Sequence, residues 1–209
     1  MPLLFPSTGL YAITPALDGD FDRWLERIEA ALQGGAHVLQ LRDKQARLTP
    51  GQAAAVAALC REYAIPLIVN DDVELALRIR ADGVHLGRHD APLEHARQRL
   101  GTGAIVGVSC YAALERARRA EAAGATYVAF GAFFPSTSKP EAVPAPLALL
   151  ARARSRLRLP IVAIGGITPN NARQLLEAGA DLVAVIGALF TAADPRAAAQ
   201  AFNRLWPTR

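Results

Sequence analysis

Four times along this chain a helical pattern runs out into glycine or alanine and then into a short apolar run. The phrase is Gly34-Gly35-Ala36 before HVLQL, Gly124-Ala125 before TYVAF and Gly179-Ala180 before DLVAVI, with Ala81-Asp82-Gly83 before VHL as a looser copy. Glycine at such a place suits a helix C-cap, because it adopts the left-handed turn that ends a helix without steric cost. A short, almost wholly apolar run suits a strand buried on both faces, as in a parallel sheet. Helix, turn and strand repeated along one chain therefore imply parallel strands joined by helical crossovers.

Eight strands are predicted, over residues 10–14, 38–41, 67–70, 83–86, 105–109, 127–130, 161–164 and 182–186. Amphipathic helical stretches lie between them at 21–33, 50–63, 73–80, 93–99, 112–123, 146–156 and 169–178, and a last helix covers 195–205. Thr49, Thr168 and Asp194 are the expected N-caps, each followed by a proline at the first helical position. Eight strand–helix units in 209 residues predict an α/β fold, a (β/α)8 TIM barrel forming a compact single domain over residues 1–209. A doubly wound open sheet is the alternative, but no glycine fingerprint follows the first strand.

Composition narrows the function. Hydrophobic residues make up 52% and charged residues 20%, which is the balance of a compact soluble domain. MPLLFPSTGL has neither a basic start nor a long apolar region, and no apolar run reaches membrane-spanning length. Cys60 and Cys110 are too few for a disulfide framework, so a cytoplasmic protein with no membrane partner is expected. The net charge is +4, but the arginines are scattered and aromatics are only 6%. That charge suits small anions rather than nucleic acid.

In a barrel of this kind the working residues sit where strands end. Gln40, Arg42 and Lys44 alternate after the second strand, so they share one side of an extended segment. Asn70, Asp71 and Asp72 follow the third strand and Arg88, His89 and Asp90 the fourth, while Ser109 ends the fifth. Asp71 and Asp90, with no His/Cys cluster beside them, suit a hard cation such as magnesium. Asp71 reads either as that ligand or as a helix cap, and Asp72 reads as a cap. Gly165-Gly166, with Thr168 opening a helix and Gly187 after the eighth strand, forms an expected phosphate cradle. His37 and His85 read as hydrogen-bonded structural groups, Gly107, Tyr111 and Trp24 as packing. Ser109 has no evident His/Asp partner, so a serine nucleophile is not expected.

The run 127–140, YVAFGAFFPSTSKP, passes from an expected strand into Ser136-Thr137-Ser138-Lys139 between two prolines. Three hydroxyls and an ammonium there read either as an anion site or as a solvated turn. Lys44 and Lys139 are the only lysines beside many arginines, which points to sites needing a compact, mobile charge.

Taken in order, GLYAITP (9–15), LQLRDK (39–44), LIVNDD (67–72), GVHLGRHD (83–90), GVSCY (107–111), PSTSKP (135–140) and AIGGITPNNARQLLEAGADLVAVIGALF (163–190) resemble the thiamine-phosphate synthase family over nearly the whole chain. The resemblance implies that a pyrimidine diphosphate and a thiazole phosphate are joined with release of pyrophosphate, in a dissociative substitution. Gln40, Leu41, Arg42, Asp43, Lys44, Asn70, Ser109 and Lys139 would contact the pyrimidine diphosphate. Ser136, Thr137, Ser138, Gly166, Ile186 and Gly187 would hold the thiazole phosphate. Asp71 and Asp90 would bind one magnesium ion, and Lys139, Arg42 and Ser109 are the residues placed at the chemistry. A homodimer is left open. Two departures stand out: Arg88-His89 replaces the family's frequent Gln-Glu, and Gly187 stands where serine is frequent. The rival readings are a thiazole tautomerase-like barrel and a non-catalytic phosphate-binding barrel.

Overall fold

The computed structural model describes residues 3–88, 90–135 and 144–206. Strands β1 (Gly9–Ile13), β2 (Val38–Leu41), β3 (Leu67–Asn70), β4 (Gly83–Leu86), β5 (Ile105–Tyr111), β6 (Tyr127–Gly131), β7 (Ile161–Ile164) and β8 (Leu182–Val185) pair in chain order. All the pairings are parallel, and β1 closes on β8 through Gly9↔Leu182 to Ala12↔Val185. That closure settles the architecture as the (β/α)8 barrel and excludes the open sheet.

Around it run α1 (Phe21–Gln33), α2 (Pro50–Glu62), α3 (Val73–Ile79), α4 (Leu93–Leu100), α5 (Leu114–Ala122), α6 (Ala148–Arg154), α7 (Pro169–Glu177), α8 (Gly187–Phe190) and α9 (Pro195–Asn203). Strand side chains alternate, and both sets are buried. Leu10, Leu39, Val69, Val106, Val128 and Val183 face the helices, while Tyr11, Val38, Ile68, Tyr127, Val162 and Leu182 fill the barrel interior. This is why the strands read as continuous apolar runs rather than as alternating ones.

The helix starts are set as the sequence implies. Thr49 and Thr168 form capping boxes with Gln52 and Asn171, and the Asp194 carboxylate accepts from the Ala197 amide. Gly35, Gly124 and Gly179 all have positive φ just after their helices. The looser copy uses other means. Arg80 takes the left-handed turn, and Gly83 is needed because a Cβ there would lie 1.8 Å from the Ile105 carbonyl oxygen.

The repeated phrase has a further consequence at the lower rim. The residue before each even strand turns its side chain to the start of the preceding odd strand. His37 Nδ1 accepts from the Leu10 amide at 3.3 Å and Asp82 from Leu67 at 2.9 Å. Thr126 accepts from Val106 at 3.0 Å and Asp181 from Ile161 at 2.8 Å. Four side chains thus satisfy four donors in the first two residues of the odd strands, on the rim opposite the strand ends.

The differences from expectation lie at element ends. Helices expected over 112–123 and 146–156 are shorter, as Leu114–Ala122 and Ala148–Arg154. β5 is longer, with a register shift between Ser109 and Tyr111, and α8 is an additional short helix.

Candidate functional site

The C-terminal ends of the strands form one mouth, and the residues singled out from the sequence divide there by which way the backbone turns them. Gln40 points into the barrel and is 3% exposed. Leu41, one residue on, packs outward among the helices, so it can meet a ligand only through its backbone. The Arg42 amide donates to Thr14 Oγ1 at 2.9 Å, which ties the exit of β2 to that of β1. Asp43 turns back into its own loop, where its carboxylate accepts from the Arg47 and Leu48 amides at 3.0 and 2.8 Å. Its side chain shapes the loop that carries Lys44.

Lys44 reaches across to β3 and pairs with Asp71. Asn70 Nδ2 donates to the same oxygen of Asp71 at 2.6 Å. Asp71 has a φ of +65°, a left-handed conformation that aspartate adopts more readily than most residues with a side chain. Asp90 accepts from the Gly87 amide at 2.5 Å, and its carboxyl lies against that of Asp71. Two carboxyl groups that close share a proton or a cation. Burial raises the affinity of Asp71 for a proton, contact with Asp90 raises it further, and Lys44 opposes both. Burial also works against the charge on Asp90, but Asp71, the Gly87 amide and Lys44 outweigh it and hold that carboxyl below the usual range.

Among the described residues no group of three or more His, Cys, Asp or Glu side chains is placed to hold a metal. The Asp71–Asp90 pair is a set of hard oxygen donors with an opening toward the mouth. It fits magnesium, which keeps several waters and takes its remaining ligands from phosphates. Asp72 is a cap, as expected, and accepts from the Leu75 amide at 2.8 Å.

Ser109 requires a correction, because it does have a histidine partner. His85 Nε2 lies 2.8 Å from Ser109 Oγ, and His85 Nδ1 lies 2.9 Å from the Tyr127 hydroxyl. The third group is a phenol rather than a carboxylate, so this is not the triad of a serine hydrolase. Tyr127 in turn meets the Tyr11 hydroxyl at 2.7 Å, and Gln40 Nε2 donates to Tyr11 at 2.9 Å. A polar chain thus crosses the barrel interior beneath the mouth. His85 and Ser109 are 24 residues apart, and no local pattern joins them.

On the other side, the glycine loops behave in part as expected. Gly166, with a φ of +61°, lies so close to the preceding loop that a Cβ would stand 2.2 Å from the Pro135 carbonyl oxygen. The N-terminus of α7 offers fewer free amides than expected, however. Asn171 Oδ1 accepts from the Thr168 amide at 2.8 Å, and Pro169 has no N–H to offer. Among the described residues the amides of Gly166, Gly187 and Ala188 have no hydrogen-bond partner. Those amides, at the ends of β7 and β8, are donors available to an anion. Ile186 packs its side chain against the barrel-interior cluster.

Ser136, Thr137, Ser138, Lys139 and His89 lie outside the described residues. Arg116 was not singled out from the sequence. Its guanidinium donates to the Ser109 and Gly87 carbonyls at 2.7 and 2.8 Å, joining the two loops that present Ser109 and Asp90. Arg88 lies over the Tyr111 ring, 4.7 Å from its centroid. Trp24 and Gly107 serve packing, as read.

A family profile described as thiamine monophosphate synthase matches residues 10–189. The thiamine-phosphate synthase of Thiobacillus denitrificans is 53% identical to this chain over 204 residues, 97% of this chain and 96% of that protein. That of Chromobacterium violaceum is 56% identical over 196 residues, 92% of this chain and 93% of its own. The solved structure of a thiamine phosphate pyrophosphorylase from Pyrococcus furiosus matches with a TM-score of 0.82 at 35% identity, covering 95% of each chain.

Proposed function

The chain belongs to the thiamine monophosphate synthase family, and from that membership we propose that it joins hydroxymethylpyrimidine diphosphate to hydroxyethylthiazole phosphate, giving thiamine phosphate and pyrophosphate. It is a transferase. The observation that carries the substrate reading is the pair of adjoining carboxylates, Asp71 and Asp90, with Lys44 against them. A diphosphate is the ligand class that such a site serves, since its oxygens complete a hard cation's shell and meet the ammonium.

In this reading Gln40, Arg42, Lys44, Asn70 and Ser109 bind and orient the pyrimidine diphosphate. Lys139, assigned from the sequence, joins Arg42 in neutralising the charge that builds on the leaving pyrophosphate. The amides of Gly166, Gly187 and Ala188, with Ser136 to Ser138, take the thiazole phosphate. Asp71 and Asp90 would hold the magnesium, which when bound would supply Lewis-acid stabilisation of the diphosphate. The carbon–oxygen bond to the diphosphate breaks first, and the thiazole nitrogen then attacks the pyrimidine methylene. No protein nucleophile takes part. Purified protein mixed with both substrates should release pyrophosphate in the presence of magnesium and none after chelation. Absence of release with the metal supplied would return the site to a tautomerase-like or purely binding role.

A further inference from the structure

The polar chain inside the barrel can be followed proton by proton. Gln40 turns its Nε2 to Tyr11, so the Tyr11 oxygen accepts there. The one hydrogen on Tyr11 then has the Tyr127 oxygen as its acceptor, 2.7 Å away. Having accepted that bond, Tyr127 directs its own hydrogen to His85 Nδ1 at 2.9 Å. A neutral imidazole that accepts at Nδ1 carries its proton on Nε2, which faces Ser109 Oγ at 2.8 Å. Tyr11 and Tyr127 are 1% and 0% exposed, so bulk solvent offers no alternative acceptor. A hydroxyl left without an acceptor at such depth is costly, and this assignment leaves none.

The surroundings hold the chain in place. Gly107 clears space for the Tyr127 ring, since a Cβ there would lie 2.0 Å from Cζ. Phe5 stacks on the same ring with centroids 4.1 Å apart. Ser109 is the member of the chain at the mouth, only partly buried.

We infer that His85 is a positioning residue: held by Tyr127 as the Nε2–H tautomer, it occupies a lone pair of Ser109 and turns the serine hydrogen toward the bound pyrimidine diphosphate. Ser109 is thereby a hydrogen-bond donor to a ligand lone pair or anionic oxygen rather than an acceptor. The functional half of this inference rests on the substrate reading above, and the tautomer half does not.

Nitrogen NMR of the histidine-labelled protein near neutral pH tests the tautomer directly. His85 is identified as the ring whose signals vanish in His85→Gln. A protonated Nε2 with a pyridine-type Nδ1 is expected. A protonated Nδ1, which is what the chain requires if Gln40 presents its carbonyl oxygen instead, overturns the inference. Kinetics then test the use of the tautomer. His85→Gln keeps a donor facing Ser109 and should retain more turnover than His85→Asn, which keeps only the group facing Tyr127. The Asn variant should lose about tenfold or more in kcat/KM, the scale of one directed hydrogen bond. In Ser109→Ala the His85→Asn change should add little, because both act through one contact. Full additivity of the two losses would overturn the positioning role. A Ser109→Ala variant with unchanged kinetics would instead remove the substrate role of Ser109, while leaving the NMR result to stand.

Discussion

The carboxyl groups of Asp71 and Asp90 lie against each other although they leave different strands of the barrel, β3 and β4. Lys44 and Asn70 both converge on Asp71. The site therefore gathers negative charge in a partly buried place, which costs stability in the absence of a cation.

The first prediction follows from that cost. Burial and then Asp90 hold the proton affinity of Asp71 above its ordinary value. For a carboxyl raised in this way, the stabilising contribution is complete below the unfolded value and is lost as pH rises through the folded one. At neutral pH the ionised group is thus unfavourable, and removing its charge helps the fold. Asp71→Asn should raise or leave unchanged the melting temperature in metal-free buffer. The same change should lower pyrophosphate release by about 100-fold or more and weaken manganese binding, read by electron paramagnetic resonance. Retained turnover at ordinary magnesium would remove Asp71 from the metal site.

Asp181 and Ile161 give the second. The Asp181 carboxylate accepts from the Ile161 amide at 2.8 Å and pairs with Arg154 on the rim away from the mouth. Asp181→Ala leaves the strand-initial donor of β7 without its acceptor. A loss of about 1–3 kcal/mol in urea unfolding is expected, with kcat essentially unchanged. Thr126→Val, which removes the equivalent acceptor for Val106, should cost a similar amount. Stability unchanged in both would mean that the rim bonds do not hold the barrel.

Cys60 and Cys110 provide a third. Burial pushes each thiol from an ordinary value near 9.0 up to about 12. Both are buried in the native protein. A thiol-reactive disulfide reagent at neutral pH should therefore modify neither until the chain is unfolded, and then both. The shifts also have a sign for stability. The unfolded chain loses these protons first, so stability holds below pH 9 and falls as pH rises toward 12. Tyr11 and Tyr127, whose hydroxyls are also raised by burial, steepen the fall at its upper end. An unfolding transition independent of pH from 9 to 12 would contradict this.

How far the sequence could be read depends on the distance over which each feature is encoded. The strands were legible because each is a few apolar residues with punctuation beside it, as in Leu67–Asn70 between Pro66 and Asp71. The acidic pair and Lys44 were legible because position at a strand end is a local property. Ser109 with His85 was not, since the contact exists only once β4 and β5 lie side by side with Tyr127 beyond them. The turn of Asp43 into its own loop, rather than toward the mouth, depends on the Arg47 and Leu48 amides coming within reach. The helix α8 spans four residues, too few for any periodicity to announce it. Asn171, at the third position of α7, was not singled out from the sequence, and its hold on the Thr168 amide appears only in the geometry.

Gly166 and Gly187 close the set, because they face the same proposed phosphate with opposite tolerance. At Gly187 nothing lies within 4 Å of an added Cβ. At Gly166 an added Cβ would meet the Pro135 and Phe134 carbonyl oxygens at 2.2 and 2.8 Å, on a backbone with a φ of +61°. Gly187→Ser should therefore fold with stability within about 0.5 kcal/mol of the parent. Its added hydroxyl stands beside amides of the cradle and should lower the KM for the thiazole phosphate severalfold without changing that for the pyrimidine diphosphate. Gly166→Ala combines left-handed strain with a clash against backbone that has no flexible end to move, and should cost about 2 kcal/mol or more. Its KM for the thiazole phosphate should rise as the loop after β7 is displaced. Chemical unfolding and two-substrate kinetics on both variants check this, and equal effects at the two glycines would count against a shared cradle.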